Sequence, residues 1–158
     1  MSATLTPLLP GQRDAGAPRS WRNRNPGNVR PVAKPDMWVG QVGIDDQLGG
    51  PFCIFGTEAH GWRAVARVLL RYQDGYKLRS VRAMLYRYAP PSENPTEAYV
   101  QRVCMALGVQ ADDAVDVREP RVMRQMLEAI AAVEGGPRCP KWDEAQMVEG
   151  IRLAGLKV

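Results

Sequence analysis

One glutamate stands where a predicted helix ends, and two glycines follow it. In the segment AAVEGG an apolar run reaches Glu134 and stops at Gly135 and Gly136. The carboxyl end of a helix carries partial negative charge, and apolar neighbours add a desolvation penalty, so both effects raise the pKa of a carboxyl group there. A carboxyl that keeps its proton near neutral pH is the general acid that glycosidic bond cleavage requires. A solvated glutamate at a glycine-capped helix end is the alternative.

Few residues in this chain suit histidine, cysteine or metal chemistry. The sequence has one histidine, His60, and three cysteines without close spacing, at positions 53, 104 and 139. We therefore expect reduced thiols, no metal site, no cofactor and no pair of a nucleophile with a histidine. Carboxyl groups remain as the candidates for acid–base catalysis.

Glu93 is the second candidate carboxyl. It lies in the segment PPSENPT, just before a predicted helix, where the helix field favours negative charge. That position suits a capping or charge-stabilising carboxylate better than an acid that must hold its proton. Cleavage by two carboxylates would require Glu93 or an aspartate to lie about 5–10 Å from Glu134.

Length and charge limit the class of protein. A chain of 158 residues suits one domain, and no apolar run approaches the ~18 residues needed to cross a bilayer, so we expect no membrane insertion. The net charge of +4 favours polyanionic partners, of which nucleic acid and the bacterial wall are two. We rank nucleic acid last because the chain has no recognised nucleic-acid motif. The first twenty residues lack a secretion signal, so we expect synthesis in a cytoplasm.

The elements that must position these residues are mainly helices. Residues 1–19 lack periodicity and are predicted to form a flexible arm, with residues 20–158 as one domain. Residues 21–55 are rich in turns and predict a small β-hairpin region. Five helical patterns follow in the segments TEAHGWRAVARVLLRYQ, LRSVRAMLYRYA, ENPTEAYVQRVCMALG, EPRVMRQMLEAIAAVEGG and KWDEAQMVEGIRLAG. The predicted fold class is α+β and predominantly α-helical.

Two of these helices have recognisable capping residues. Thr57 is the predicted N-cap of the first, and either Asn94 or Thr96 is the predicted N-cap of the third. Gly108 is the predicted glycine at the end of the third helix.

Several segments resemble a known family in their order along the chain. They are RNRNPGNVR (22–30), WVG (38–40), FGTEAHGWRAVARVLLRY (55–72), RYAPPSENPTEAYVQRV (87–103) and AIAAVEGG (129–136). They are similar to segments of phage lysins, phage virion proteins and prophage-encoded muramidase-like proteins, over about residues 20–136. Related motifs occur in lytic transglycosylases and wall glucosaminidases of the lysozyme-like superfamily, where the glutamate segment comes first. The resemblance implies a circularly permuted lysozyme-like fold, with Glu134 beside the turn at residues 25–28.

The resemblance also implies roles for individual residues. Glu134 corresponds to the general acid/base, and Tyr99 corresponds to a tyrosine that lines the cleft. Asn25 and Asn28 correspond to the turn beneath the active-site sugar, although Asn-Pro-Gly-Asn also forms turns without any ligand. Trp38 is a candidate platform for stacking a sugar ring.

The function implied by the resemblance is degradation of peptidoglycan by a phage lytic enzyme, either a muramidase or a lytic transglycosylase. Its partner is the glycan strand of the cell wall. The protein would be made in the host cytoplasm and act in the periplasm or cell wall, or be carried in the virion with other virion proteins. Gly135 departs from the transglycosylases, which usually carry serine there. A catalytically inactive structural virion protein with the same fold is therefore the alternative.

Overall fold

Helices dominate the computed structural model, which describes residues 5–158. In this part of the chain the elements are α1 (Arg19–Arg22), β1 (Gln41–Asp45), β2 (Phe52–Phe55), α2 (Glu58–Asp74), α3 (Val81–Tyr88), α4 (Thr96–Leu107), α5 (Pro120–Gly135) and α6 (Glu144–Leu153). The predicted α+β, mainly helical class is confirmed: α2 to α6 match the five predicted helices, and β1 and β2 match the predicted hairpin. Helix α1 was not predicted, because four residues are too few to show a helical period. Among residues 5–158, no helix is both long enough and apolar enough to cross a membrane.

The two strands form an antiparallel sheet, and β2 is also hydrogen-bonded to the loop that follows α1. The register pairs Gln41 with Phe55, Gly43 with Ile54, Ile44 with Cys53 and Asp45 with Phe52. Two further backbone bonds tie β2 to the loop after α1: the N–H of Cys53 donates to the carbonyl of Val29, and the N–H of Phe55 donates to that of Asn23, each at 2.9 Å. The turn at residues 25–28 lies between these two anchor points.

A buried ion pair joins the end of β1 to α1. Asp45 has no exposed surface, and Arg19 donates from Nε and Nη2 to its two carboxylate oxygens at 2.6 and 2.8 Å. The amide of Asn23 donates to the same carboxylate at 3.0 Å. The hydrogen bond from Arg19 is the main reason that the pKa of Asp45 falls to about 2, since burial alone would raise it.

The capping predictions hold for two helix ends and fail for one. Thr57 accepts the N–H three residues further on at 3.1 Å, and Gly108 ends α4 with a left-handed φ of 69°. The prediction of Asn94 or Thr96 as the N-cap of α4 is wrong. Pro95 occupies that position, and the Thr96 hydroxyl donates to the carbonyl of Ala89 at the end of α3.

Helix α2 contacts β2, α3, α5 and α6, and α6 lies close along it. A Cβ at Gly150 of α6 would lie only 2.4 Å from the Cβ of Trp62, so a glycine is needed for this approach. Trp62 is 2% exposed, so its indole ring belongs to the core. Helix α5 also contributes a buried face to this core: Val122, Met123, Met126, Leu127, Ile130 and Ala131.

The predicted flexible arm covers residues 1–19, of which residues 1–4 lie outside the described part of the chain. Gln12 and Arg13 of this arm are bonded to the domain. The Gln12 amide donates to the side chain of Asn23 at 2.6 Å, and Arg13 forms an ion pair with Glu58 at 2.8 Å. Packing in the described chain therefore begins ahead of residue 20.

Candidate functional site

Glu134 lies in the last turn of α5, where its backbone position directs it inward. Gly135 is the final helical residue, and Gly136 follows with φ of 72°, a value that favours glycine. Ile130 stands one turn earlier on the same face and is 1% exposed. The Glu134 side chain is consequently half-buried rather than free in solvent.

Asn25 holds the turn that faces Glu134. Its amide group donates to the carbonyls of Val29 and Cys53 at 2.9 and 3.0 Å, and its Oδ1 accepts the N–H of Val29 at 2.8 Å. Asn25 has no exposed surface. Asn25 therefore forms the turn. It does not contact a ligand, because both polar atoms of its side chain are hydrogen-bonded and the side chain is buried.

Asn28 connects this turn to the end of α5. Its backbone is left-handed, with φ of 47°, and its Nδ2 donates to Oε2 of Glu134 at 2.9 Å. The Oδ1 atom of Asn28 is buried and has no hydrogen-bond partner among residues 5–158. The predicted proximity of Glu134 and Asn28, which are 106 positions apart in the chain, is confirmed.

The surroundings of Glu134 favour the protonated form of its carboxyl group. Burial raises the pKa of Glu134 above its usual range, because the charged form loses its hydration. The hydrogen bond from Asn28 and the positive charge of Arg30 oppose this effect and only partly cancel it. Desolvation is therefore the main cause of the raised pKa.

A groove of 480 Å³ opens beside the Glu134 carboxyl. Its lining includes Asn28, Trp38 and Glu93, so four of the six predicted site residues meet there. The indole Nε1 of Trp38 donates to the carbonyl of Arg30 at 3.0 Å, which fixes the ring on the groove wall. Glu93 is exposed and lies in the turn between α3 and α4, where its N–H donates to the carbonyl of Pro90 at 3.1 Å.

The tyrosines of this groove are Tyr72 and Tyr88, whereas Tyr99 lies outside it on α4. The hydroxyl of Tyr88 donates to the carbonyl of Gly27 at 2.6 Å, and the two groove tyrosines meet edge to face at 6.3 Å. Tyr99 packs partly buried against the core. Sequence reasoning missed Tyr88, although its place in the RYAPPSEN segment, close to Glu93, was a usable signal.

Packing explains why glycine follows Glu134. A Cβ at Gly135 would lie 2.9 Å from both Cβ and Sγ of Cys139 and 3.4 Å from Oγ of Ser20. A side chain at this position would therefore require the Cys139 side chain to shift. Glycine at position 135 avoids this contact.

The polar groups of the groove are carboxyl, hydroxyl, amide and guanidinium groups. Among residues 5–158, no three histidine, cysteine or acidic side chains lie close enough together to hold a metal ion. The three cysteines of the described chain are free, and burial raises the pKa of the Cys53 thiol to about 12. The two carboxyl groups that line the groove are those of Glu134 and Glu93.

Comparison with known proteins places the chain among bacteriophage proteins. No family model matches the sequence. The chain is similar to a protein of Pseudoalteromonas phage PM2 called protein P5, with 33% identity over 139 residues, which cover 87% of this chain and 82% of that protein. Similarity at this level over most of both chains reflects common descent. The chain belongs to the same family as protein P5 of Pseudoalteromonas phage PM2.

Proposed function

We propose that this protein cleaves the glycan strand of peptidoglycan, with Glu134 as the general acid. The observation that carries the proposal is the carboxyl group of Glu134. It is half-buried, its pKa is raised, and Asn28 binds it at 2.9 Å beside an open groove. An acid for glycosidic cleavage must hold its proton until the leaving oxygen arrives, and desolvation supplies that property here.

The bond from Asn28 indicates which oxygen donates the proton. Oε2 of Glu134 accepts the Asn28 N–H, so the proton of the acid form is assigned to Oε1 in this mechanism. Transfer of this proton to the glycosidic oxygen breaks the bond to the anomeric carbon and leaves an oxocarbenium-like sugar. The same Asn28 N–H then stabilises the carboxylate that remains, because a hydrogen bond to the charged form is the stronger one.

Two routes complete the reaction. The Glu134 carboxylate takes a proton from a water that attacks the anomeric carbon, which gives hydrolysis, or from a hydroxyl of the same sugar, which gives an anhydro product. Glu93 lines the groove and is available to stabilise the positive sugar ring. A single-carboxyl mechanism does not need it.

Two features support a place for a polymer in the groove. The rings of Trp38 and Tyr72 line it and offer flat apolar faces on which sugar rings stack. The contact of Glu134 with a turn 106 positions earlier agrees with a lysozyme-like fold whose chain order is circularly permuted. We propose that fold for this chain.

Clearing of a purified peptidoglycan suspension tests the proposal. The wild-type protein should clear the suspension, and Glu134→Gln should reduce the rate by at least about a hundredfold because it cannot donate the proton. Glu128→Gln is the matched control: it makes the same change on the same helix at an exposed position outside the groove. Equal clearing by wild type and Glu134→Gln would remove Glu134 from the mechanism.

Two further measurements define the chemistry. Glu93→Gln should retain most activity if Glu134 works alone, and should lose it if two carboxylates are required. Mass spectrometry of the released fragments separates reducing ends from anhydro ends.

The second candidate is a structural virion protein that keeps the fold without the activity, and the relationship to a phage protein favours it. Under this alternative the wild-type protein binds no substrate in the groove and clears no wall from any Gram-negative or Gram-positive source. Incorporation into purified phage particles, detected by mass spectrometry, would then be its positive signature.

A further inference from the structure

The Glu134 groove adjoins a second, larger groove. The second groove has a volume of 730 Å³, and it shares Trp38, Val68 and Tyr72 with the first. Because these three side chains line both grooves, the grooves adjoin, and an extended molecule beside Glu134 has the second groove next to it. We call the second groove the arginine groove, after Arg67, Arg71 and Arg87, which line it.

The positive charge of the arginine groove is not neutralised by the protein. Within residues 5–158, the ion pairs involve other arginines, and Arg67, Arg71 and Arg87 each lack a carboxylate partner. The acidic side chain that lines this groove, Asp74, is bound by Arg118 through two hydrogen bonds of 2.9 and 2.5 Å. All three arginines are exposed, and Arg67 also donates from Nη1 to the carbonyl of Ala154 at 3.3 Å. The groove therefore presents Arg71 and Arg87, with the remaining donors of Arg67, to an incoming ligand.

Aromatic rings hold two of these guanidinium groups in place. Arg67 and Arg71 stand four residues apart on one face of α2. Arg87 comes from α3, and its guanidinium carbon lies 4.0 Å from the ring centre of Tyr76, with Arg71 at 5.6 Å from the same ring. The hydrogen bond from Arg71, together with the charges of Arg71 and Arg87, lowers the pKa of the Tyr76 hydroxyl, as expected in a positive field.

We propose that the arginine groove binds carboxylates of the peptide stems carried by the glycan strand that lies beside Glu134. This inference rests on the proposed function. Peptide stems branch from alternate sugars and end in free carboxylates, so a strand placed at Glu134 presents anionic groups to the neighbouring groove. Guanidinium groups bind carboxylates through paired hydrogen bonds, and stacking on Tyr76 reduces the entropy lost when they do so.

Sedimentation with insoluble peptidoglycan tests the inference without any cleavage. All binding measurements use the Glu134→Gln background, so that the substrate stays intact. The arginine variant carries Arg71→Gln and Arg87→Gln together. The matched control is Arg102→Gln, because Arg102 is also exposed and lies 5.1 Å from a tyrosine ring, but on α4 outside both grooves.

The arginine variant should bind intact peptidoglycan roughly tenfold more weakly, since two charge-assisted contacts are lost, and Arg102→Gln should bind like its parent. On glycan strands stripped of peptide stems by an amidase, the parent should lose about the same factor and the arginine variant should show no further loss. The affinity of the arginine variant for intact peptidoglycan should also depend less steeply on salt than that of its parent. Thermal denaturation shows that each variant is folded.

Equal binding of intact and stripped strands by the parent protein would overturn the inference, and so would an arginine variant that binds intact wall like its parent. A parallel titration with duplex DNA is the further arm: a stronger, arginine-dependent affinity for DNA than for wall would overturn it in favour of nucleic acid. The proposed cleavage fails separately. If the wild-type protein releases no fragments while binding still depends on both the arginines and the peptide stems, the docking inference stands and the activity does not.

Discussion

Gly27 lies in the turn below the Glu134 groove and has no room for a side chain. A Cβ there would lie 2.2 Å from the hydroxyl oxygen of Tyr88 and 2.5 Å from Cγ2 of Val65, whereas favourable contacts lie at about 3.5–4.0 Å. Val65 has no exposed surface, and the Tyr88 hydroxyl is bonded to the carbonyl of Gly27 itself at 2.6 Å. Neither neighbour moves away without losing a contact.

We expect Gly27→Ala to lower the free energy of unfolding by about 2 kcal/mol. Overpacking of a filled site costs ~1–3 kcal/mol, and loss of the Tyr88 hydrogen bond costs ~0.5–1.5 kcal/mol. The smaller entropy of the unfolded alanine chain offsets ~0.4–1 kcal/mol of this loss. For a chain of this length the expected fall in Tm is roughly 4–8 °C.

Thermal denaturation followed by circular dichroism measures the effect. Gly16→Ala is the control, because no heavy atom lies within 4 Å of a Cβ built there, and it should leave Tm unchanged or slightly raised. In a Tyr88→Phe background the hydroxyl is absent, so Gly27→Ala should cost less than it does in the wild type. A Gly27→Ala protein that melts with the wild type would refute tight packing of the turn, and strictly additive effects would refute Tyr88 as the obstacle.

Four further predictions follow from individual groups. Asn28→Gly keeps the left-handed backbone accessible but removes the hydrogen bond that lowers the pKa of Glu134, so the pKa of Glu134 should rise. Carbon-13 NMR titration of the carboxyl group measures this pKa, and a fall would contradict the assigned contact. The pKa of Glu134 in the folded protein lies above its usual 4.5, so the stability that this carboxyl group contributes is present at acid pH and lost as pH rises. In urea titrations, Glu134→Gln should therefore gain stability relative to wild type between pH 4 and pH 8. The pKa of Asp45 is lowered from 3.8 to about 2, so the stability that this carboxylate contributes is present above pH 3.8 and lost as pH falls toward 2. Asp45→Asn should therefore show a smaller loss of unfolding free energy over that interval. An unchanged dependence of stability on pH would contradict the prediction. Burial and a pKa of about 12 should keep Cys53 unreactive toward thiol reagents at neutral pH, while the partly exposed Cys139 reacts first, as peptide mass mapping would show.

Local sequence signals were sufficient for most of the helices and for the position of the candidate acid. Helices α2 to α6 have apolar residues at helical spacing. Thr57 caps the start of α2 and Gly108 caps the end of α4, as their residue types predict. The double glycine after Glu134 correctly indicated the end of α5. These features depend on neighbours within about one helical turn, so a single sequence carries them.

Other details of the site depend on contacts that local patterns do not encode. Two tyrosines of the groove, Tyr72 and Tyr88, replace the predicted Tyr99, because helix orientation decides which side chain reaches the groove. Asn25 looked as available to a ligand as Asn28, and only the backbone of β2 and of the turn shows that it is fully used. The N-cap of α4 was misassigned for the same reason, since the Thr96 hydroxyl bonds to the carbonyl of Ala89 at the end of α3.

The chain by itself determined a mainly helical fold with a carboxyl group at a glycine-ended helix terminus, because the period of apolar residues and the capping residues act over a few positions. Only the tertiary structure decided that this carboxyl is desolvated, meets Asn28 across 106 positions and opens onto a groove that adjoins the arginine groove. Desolvation and charge depend on every element packed around a group. They appear only when α5, the turn beside β2 and the end of α2 come together.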